Sequence, residues 1–193
     1  MNDLGTVKRI TVDDLYLTNY RETGGLPLRN IMRLPKEEAY KIAGELSEKT
    51  SARNNRYGTY FDTYYKKRLR AEEWLYHEFI RQGGKPETTH PIYFVLCDSP
   101  NLQQFYGNEE QIRIQLKNIA NKHISFTPRD SIHLMDMERT KDTVWNRNTL
   151  IKMMMEAEQS IGEFISNITA KYEKPGGYIE VQLWSDEYIR HLM

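Results

Sequence analysis

Only one cysteine, Cys97, stands in the 193 residues. A single thiol forms no intrachain disulfide and no cysteine zinc site. It fits a reducing compartment, so a cytoplasmic location is expected. Net charge is missing as well, because 27 Lys plus Arg balance 27 Asp plus Glu. The chain as a whole exerts no pull toward nucleic acid or an anionic membrane. No apolar run approaches the ~18 residues of a membrane span. The opening Met1-Asn2-Asp3-Leu4-Gly5 lacks the basic-then-apolar order of a signal peptide. No membrane association is expected. Repeats, low-complexity tracts and long Pro/Gly/Ser linkers are absent, so residues 1–193 read as a single domain. The motifs of phosphate loops, dinucleotide folds, zinc proteases and serine hydrolases are absent too. The five histidines, at 77, 90, 123, 133 and 191, never pair at ligand spacing on one element. No metal site is therefore expected. Only a carboxylate-and-histidine set gathered from distant segments is left open.

What is present is a globular mix of 39% hydrophobic and 28% charged residues. Tyrosine is abundant, 13 against 6 Phe, and its polar tip suits half-buried or wet surfaces. The lone cysteine lies in the apolar run Ile92 to Cys97, where it reads as a buried structural thiol.

Periodicity predicts the elements. Leu15-Tyr16-Leu17-Thr18 opens as a strand, and Gly24-Gly25 marks a turn. Pro35 begins a helix whose apolar stripe is Ala39, Ile42, Ala43 and Leu46. Ser51 to Gly58 reads as a loop. A long helix is expected from Thr59 to Gln82, on the spacing of Phe61, Tyr64, Tyr65, Leu75 and Phe79, with Gly83-Gly84 ending it. Ile92 to Cys97 reads as a central strand, and Asn101 to Tyr106 as a short helix capped by Gly107. Gln111 to Leu116 alternates, and Ile124 to Thr127 is a short strand. A second long helical region spans Thr149 to Lys171, with Ser160 or Gly162 as possible breaks. Pro175-Gly176-Gly177 turns the chain into a last strand, Tyr178 to Trp184. The fold class is α+β: a mixed or mostly antiparallel sheet with two long helices packed on it.

Four segments are candidates for chemistry. In the last strand, alternation puts Ile179, Val181 and Leu183 on one face and Tyr178, Glu180, Gln182 and Trp184 on the other. A mid-strand carboxylate between an amide and two aromatic rings suits a ligand platform, with Glu180 as the key acid. The bland reading is a covered face with Glu180 paired to an arginine. Ser125 to Ser131 gathers Thr127, Arg129 and Asp130 at a strand-to-turn junction, either an anion site or an Asp/Ser cap. Leu15 to Arg21, with Tyr16 and Thr18, is either a binding lip or an edge strand leading into a loop. Gly83-Gly84-Lys85-Pro86 with His90-Pro91 reads as structural.

These same stretches carry a resemblance. Tyr64 to Trp74, Gly83 to Pro86, His90 to Leu96, Ile124 to Thr127 with Asp130-Ser131, and Tyr178 to Trp184 resemble a family of bacterial proteins of unknown function, over about two thirds of the chain. That likeness implies a shared fold and no mechanism. The order of elements is also similar to ADP-ribosyltransferase-like domains, especially the DNA-targeting toxin group. Leu15 to Asn19 would be the opening strand and Glu180 the acid. Tyr16 or Asn19 stands where that group has a histidine or arginine. Its Glu-x-Glu pair is approached only by Glu180-Val181-Gln182. NAD is the cofactor that this second resemblance implies. Glu180 would hold a ribose hydroxyl, Arg113 and Arg129 the pyrophosphate, and Tyr16, Tyr178 and Trp184 the rings.

Three functions follow as expectations. The first is a non-catalytic interaction or regulatory protein, of the immunity, antitoxin or phage-defence type, docking on another protein through its tyrosine-rich helix. The second is a NAD- or nucleotide-binding enzyme with Glu180 as its acid. The third is nucleic-acid binding through Lys66 to Arg70, a basic run answered at once by Glu72-Glu73. Whether the chain is an enzyme stays open at this point.

Overall fold

The computed structural model describes residues 11–21, 27–49, 55–107, 110–172 and 177–193. The Gly24-Gly25 turn, residues 1–5, residues 51–54 of the Ser51 to Gly58 loop and Pro175-Gly176 lie outside the described residues. The fold is α+β and its sheet has six strands. These are β1 (Tyr16–Tyr20), β2 (Ile92–Leu96), β3 (Gln111–Gln115), β4 (Ile124–Thr127), β5 (Trp145–Asn146) and β6 (Glu180–Leu183). Their spatial order is β3-β1-β2-β6-β4-β5, and every pairing is antiparallel. β2 and β6 occupy the centre. β1 lies inside the sheet between β3 and β2, not at its edge.

The period of two splits this sheet into an apolar face and a polar one. Leu17, Phe94, Ile124, Phe126, Val181 and Leu183 are buried on one side. Leu150 and Met154 of α5 (Arg147–Ala157) and Phe164 of α6 (Ile161–Ala170) complete that core. The second long helix expected from the periodicity is therefore two shorter ones. Glu158 takes a left-handed φ of 50°, and Ser160 with Glu163 forms a reciprocal capping box that starts α6 afresh.

The opposite face bears Thr18, Tyr93, Ser125, Thr127, Glu180 and Gln182, and α2 (Phe61–Arg81) lies over it. The buried residues of α2 include Phe61, Tyr65, Arg68, Glu72, Leu75 and Phe79, whose spacing alternates between three and four and so forms one stripe. Its first turns pack on Ala39 and Ala43 of α1 (Lys36–Lys49), and its last turns on Trp184. Between these two apolar ends the stripe is charged, with Arg68 and Glu72 pressed against the polar face of the sheet. Gly83, at φ 83°, ends the helix. Short helices α3 (Pro100–Tyr106) and α4 (Ser131–Asp136) flank the sheet. No described helix is long and apolar enough to cross a membrane.

Candidate functional site

Where α2 diverges from the polar face, a cavity of about 890 Å³ opens. Its floor is the sheet, through Thr18, Tyr93 and Glu180. Tyr64 and Arg68 of α2 form one wall, Ile42 and Leu46 of α1 another, and Phe105 and Tyr106 of α3 a third. The volume lies within the ~300–1,000 Å³ range of small-molecule sites.

Glu180 sits at the start of β6, flanked by Val95 of β2 and Thr127 of β4. It is 5% exposed. Its Oε1 accepts from the Ser131 backbone N–H and from Gln182 Nε2, each at 3.1 Å. Its Oε2 faces Arg68 Nη1 at 4.0 Å. Burial raises the carboxyl pKa to about 7. The charge of Asp130 adds to the rise, and Arg68 and the Ser131 hydrogen bonds oppose it. An acid in this state holds a proton on part of the molecules at neutral pH, which suits proton transfer.

Arg68 organises the rest. Its Nη1 donates to Ser131 Oγ at 2.9 Å and its Nη2 to Asp130 Oδ2 at 3.3 Å. The guanidinium lies 4.6 Å from the Tyr93 ring centre and 5.8 Å from that of Tyr64. Asp130 also caps α4, its Oδ1 accepting from the N–H groups of Ile132 and His133. A second guanidinium, that of Arg56, stands 4.8 Å from the Tyr57 ring and 5.8 Å from those of Tyr64 and Tyr106. Tyr106 in turn stacks on Tyr20. The cavity thus combines two arginines set among tyrosine rings with one buried acid whose pKa is raised by burial.

Of the residues singled out from the sequence, Thr18, Asn19, Asp130, Tyr178 and Glu180 line this cavity. Six others lie elsewhere. Tyr16 and Arg113 share Asp98, with the Tyr16 hydroxyl donating at 2.7 Å and Arg113 Nη2 at 3.0 Å. Arg129 turns away and donates to the Tyr172 carbonyl at 3.0 Å. Thr127, Gln182 and Trp184 are fully buried in one relay. In it Trp184 Nε1 donates to Ser125 Oγ, Ser125 to Gln182 Oε1, and Gln182 Nε2 to Thr127 Oγ1. Trp184 stacks on Phe79 instead of facing a ligand. His90 joins Glu72, with Nδ1 2.5 Å from Oε2.

Arg56 and Tyr64 are not site candidates in the sequence, and Arg68 is one only as part of the Lys66 to Arg70 run. Arg68 sits in a basic run that reads as a solvated face, yet it keeps the register of Phe61, Tyr65, Leu75 and Phe79, and that register is the signal that it is buried. Arg56 offers no such signal, because it sits in a single 3-10 turn, Asn55–Tyr57, within a segment that reads as a loop. No family model, curated protein or solved structure matches this chain.

Proposed function

We propose that the cavity binds a nucleotide, with Glu180 as the proton-exchanging group at its floor. The observation that carries this reading is one cavity lined by Arg56 and Arg68, each set among tyrosine rings, and by the buried carboxyl of Glu180 beside Arg68. Guanidinium groups pair with phosphate oxygens in a planar fork. Tyrosine rings stack on a base or a nicotinamide. A buried acid beside a ribose either accepts from a hydroxyl or donates a proton to a leaving group. Small anionic aromatic ligands satisfy all three chemistries, and NAD and ADP are the natural probes.

Two features make a docking or nucleic-acid role less well supported. Tyr64 and Tyr65, which a docking face of α2 would use, are turned inward. In the basic run, Lys66 pairs with Asp62, Lys67 with Asp136, and Arg68 is buried.

The test is calorimetric titration of NAD and ADP into the wild type and Arg56→Ala. Saturable binding by one or both ligands, weakened at least about tenfold in the variant, supports the proposal. No binding at millimolar ligand, or equal affinity in both proteins, ends it.

A further inference from the structure

At the far end of β6 from Glu180, three chain segments meet. The loop after α2 brings Glu87, the turn before β4 brings His123, and the turn after β6 brings Glu187. Main-chain hydrogen bonds tie the segments together. Glu87 N–H donates to the Trp184 carbonyl at 2.8 Å, Trp184 N–H to the His123 carbonyl at 2.9 Å, and Lys85 N–H to the Lys122 carbonyl at 2.7 Å. The three side chains each offer one donor atom, and these atoms all lie within 4.8 Å of one another.

The His123 ring is 3% exposed. Its Nδ1 meets the Tyr188 hydroxyl at 2.8 Å. Its Nε2 points to Glu87 Oε1 at 3.6 Å, beyond hydrogen-bond length. The ring nitrogen left over by Tyr188 therefore faces the Glu87 carboxylate, with a Glu187 oxygen within 4.8 Å of both. The His123–Glu87 separation suits an ion between them: two donors on a tetrahedral ion with bonds of ~2.0–2.2 Å stand roughly 3.3–3.6 Å apart.

We propose that Glu87, His123 and Glu187 bind a divalent first-row transition cation, leaving a coordination position open to solvent. One imidazole and two carboxylates suit Zn²⁺, Mn²⁺ or Fe²⁺ better than Ca²⁺ or Mg²⁺, which take oxygen ligands. The outer partners are in place. A bound ion would select the tautomer protonated at Nδ1, which then donates to the Tyr188 hydroxyl and leaves the Nε2 lone pair for the ion. Ser185 Oγ donates to Glu87 Oε2 at 2.5 Å and accepts from Glu187 N–H at 3.2 Å, so a single hydroxyl braces the Glu87 carboxylate and the main chain that carries Glu187. The ion would clamp the C-terminal segment to β4 and to the loop after α2.

The experiment uses Zn²⁺ as the probe, with calorimetry and thermal unfolding of the wild type, Glu87→Gln and Glu187→Gln. Glu87 and Glu187 are exposed, so both variants fold as the wild type does without metal. The wild type is expected to bind one Zn²⁺ and melt at a higher temperature with it. Each glutamine variant is expected to bind at least about tenfold more weakly, and the same concentration of Mg²⁺ to raise the melting temperature far less. Absence of Zn²⁺ stabilisation in the wild type, or equal affinity in all three proteins through other histidines, overturns the assignment.

Discussion

Arg68 Nη1 and Glu180 Oε2 face each other at 4.0 Å, while the same guanidinium holds Ser131 and Asp130 more closely. The arginine is therefore shared, and Glu180 receives too little of its charge to offset burial. This explains a carboxyl pKa near 7 beside a permanent cation. A raised carboxyl pKa is a stability that depends on protonation. The contribution is fully present below the ordinary value of 4.5 and is lost as pH rises through about 7. Glu180→Gln removes that loss. Urea midpoints of the two proteins should shift in favour of the variant between pH 4.5 and 7.5. Parallel curves across that window would mean that Glu180 titrates normally.

Removing Arg68 should have the opposite character. Arg68→Met leaves Asp130 and Glu180 without their common cation, in a site that water reaches poorly. Breaking a buried charge set costs about 3–5 kcal/mol. Because a neutral Glu180 needs no cation, the loss should be larger at pH 8 than at pH 5. Equal losses at both pH values would place the role of Arg68 in packing alone. The double variant Arg68→Met/Glu180→Gln should recover part of the stability at pH 8, which a double-mutant cycle reads directly.

How much of this was legible before the coordinates differs from residue to residue. Alternation in Tyr178 to Trp184 assigns the two faces of β6 correctly, because a strand's period is fixed by its backbone. It does not say how the polar face is covered. Glu180 and Trp184 share that face, yet the first lines a cavity and the second lies under Phe79, a difference made by the path of α2. The break between α5 and α6 was readable as Ser160-x-x-Glu163 once the capping box is sought. β5, with two residues, is too short for any period to reveal. α4 is capped by Asp130, in a segment that the sequence offers as a cap or as an anion site. The Glu87, His123 and Glu187 set is invisible to spacing rules, because its members come from three separate segments.

Glu72 gives a sharper test of the charged stripe on α2. It is fully buried. Its Oε1 accepts from Asn30 Nδ2 at 2.8 Å and from the Tyr93 hydroxyl at 3.1 Å, and its Oε2 meets His90. Glu72→Ala removes the acceptor these three partners share; Asn30 keeps the Pro91 carbonyl, and each group left buried and unsatisfied costs about 1–3 kcal/mol. Glu72→Gln keeps an acceptor for Asn30 and Tyr93 and should cost clearly less. Urea denaturation of both variants checks the order, and equal losses would show that shape matters here and hydrogen bonding does not.

The last prediction joins the acid to the ligand. An anionic nucleotide seated above Glu180 is repelled by the ionised carboxylate and tolerated by the protonated acid. Binding then takes up a proton, and affinity falls as pH rises through about 7. NAD is the appropriate probe, because its pyrophosphate keeps a constant charge over this range. If only the protonated form binds, the dissociation constant should rise about tenfold from pH 6 to pH 8. Glu180→Gln should bind NAD with the same affinity at both values, which isolates Glu180 from every other titrating group. Calorimetry in two buffers of different ionisation enthalpy reads the proton uptake itself. A wild type that binds NAD without uptake, or a variant that keeps the full pH dependence, would put the phosphates away from Glu180 and the ligand's charge against the Arg56 end of the cavity.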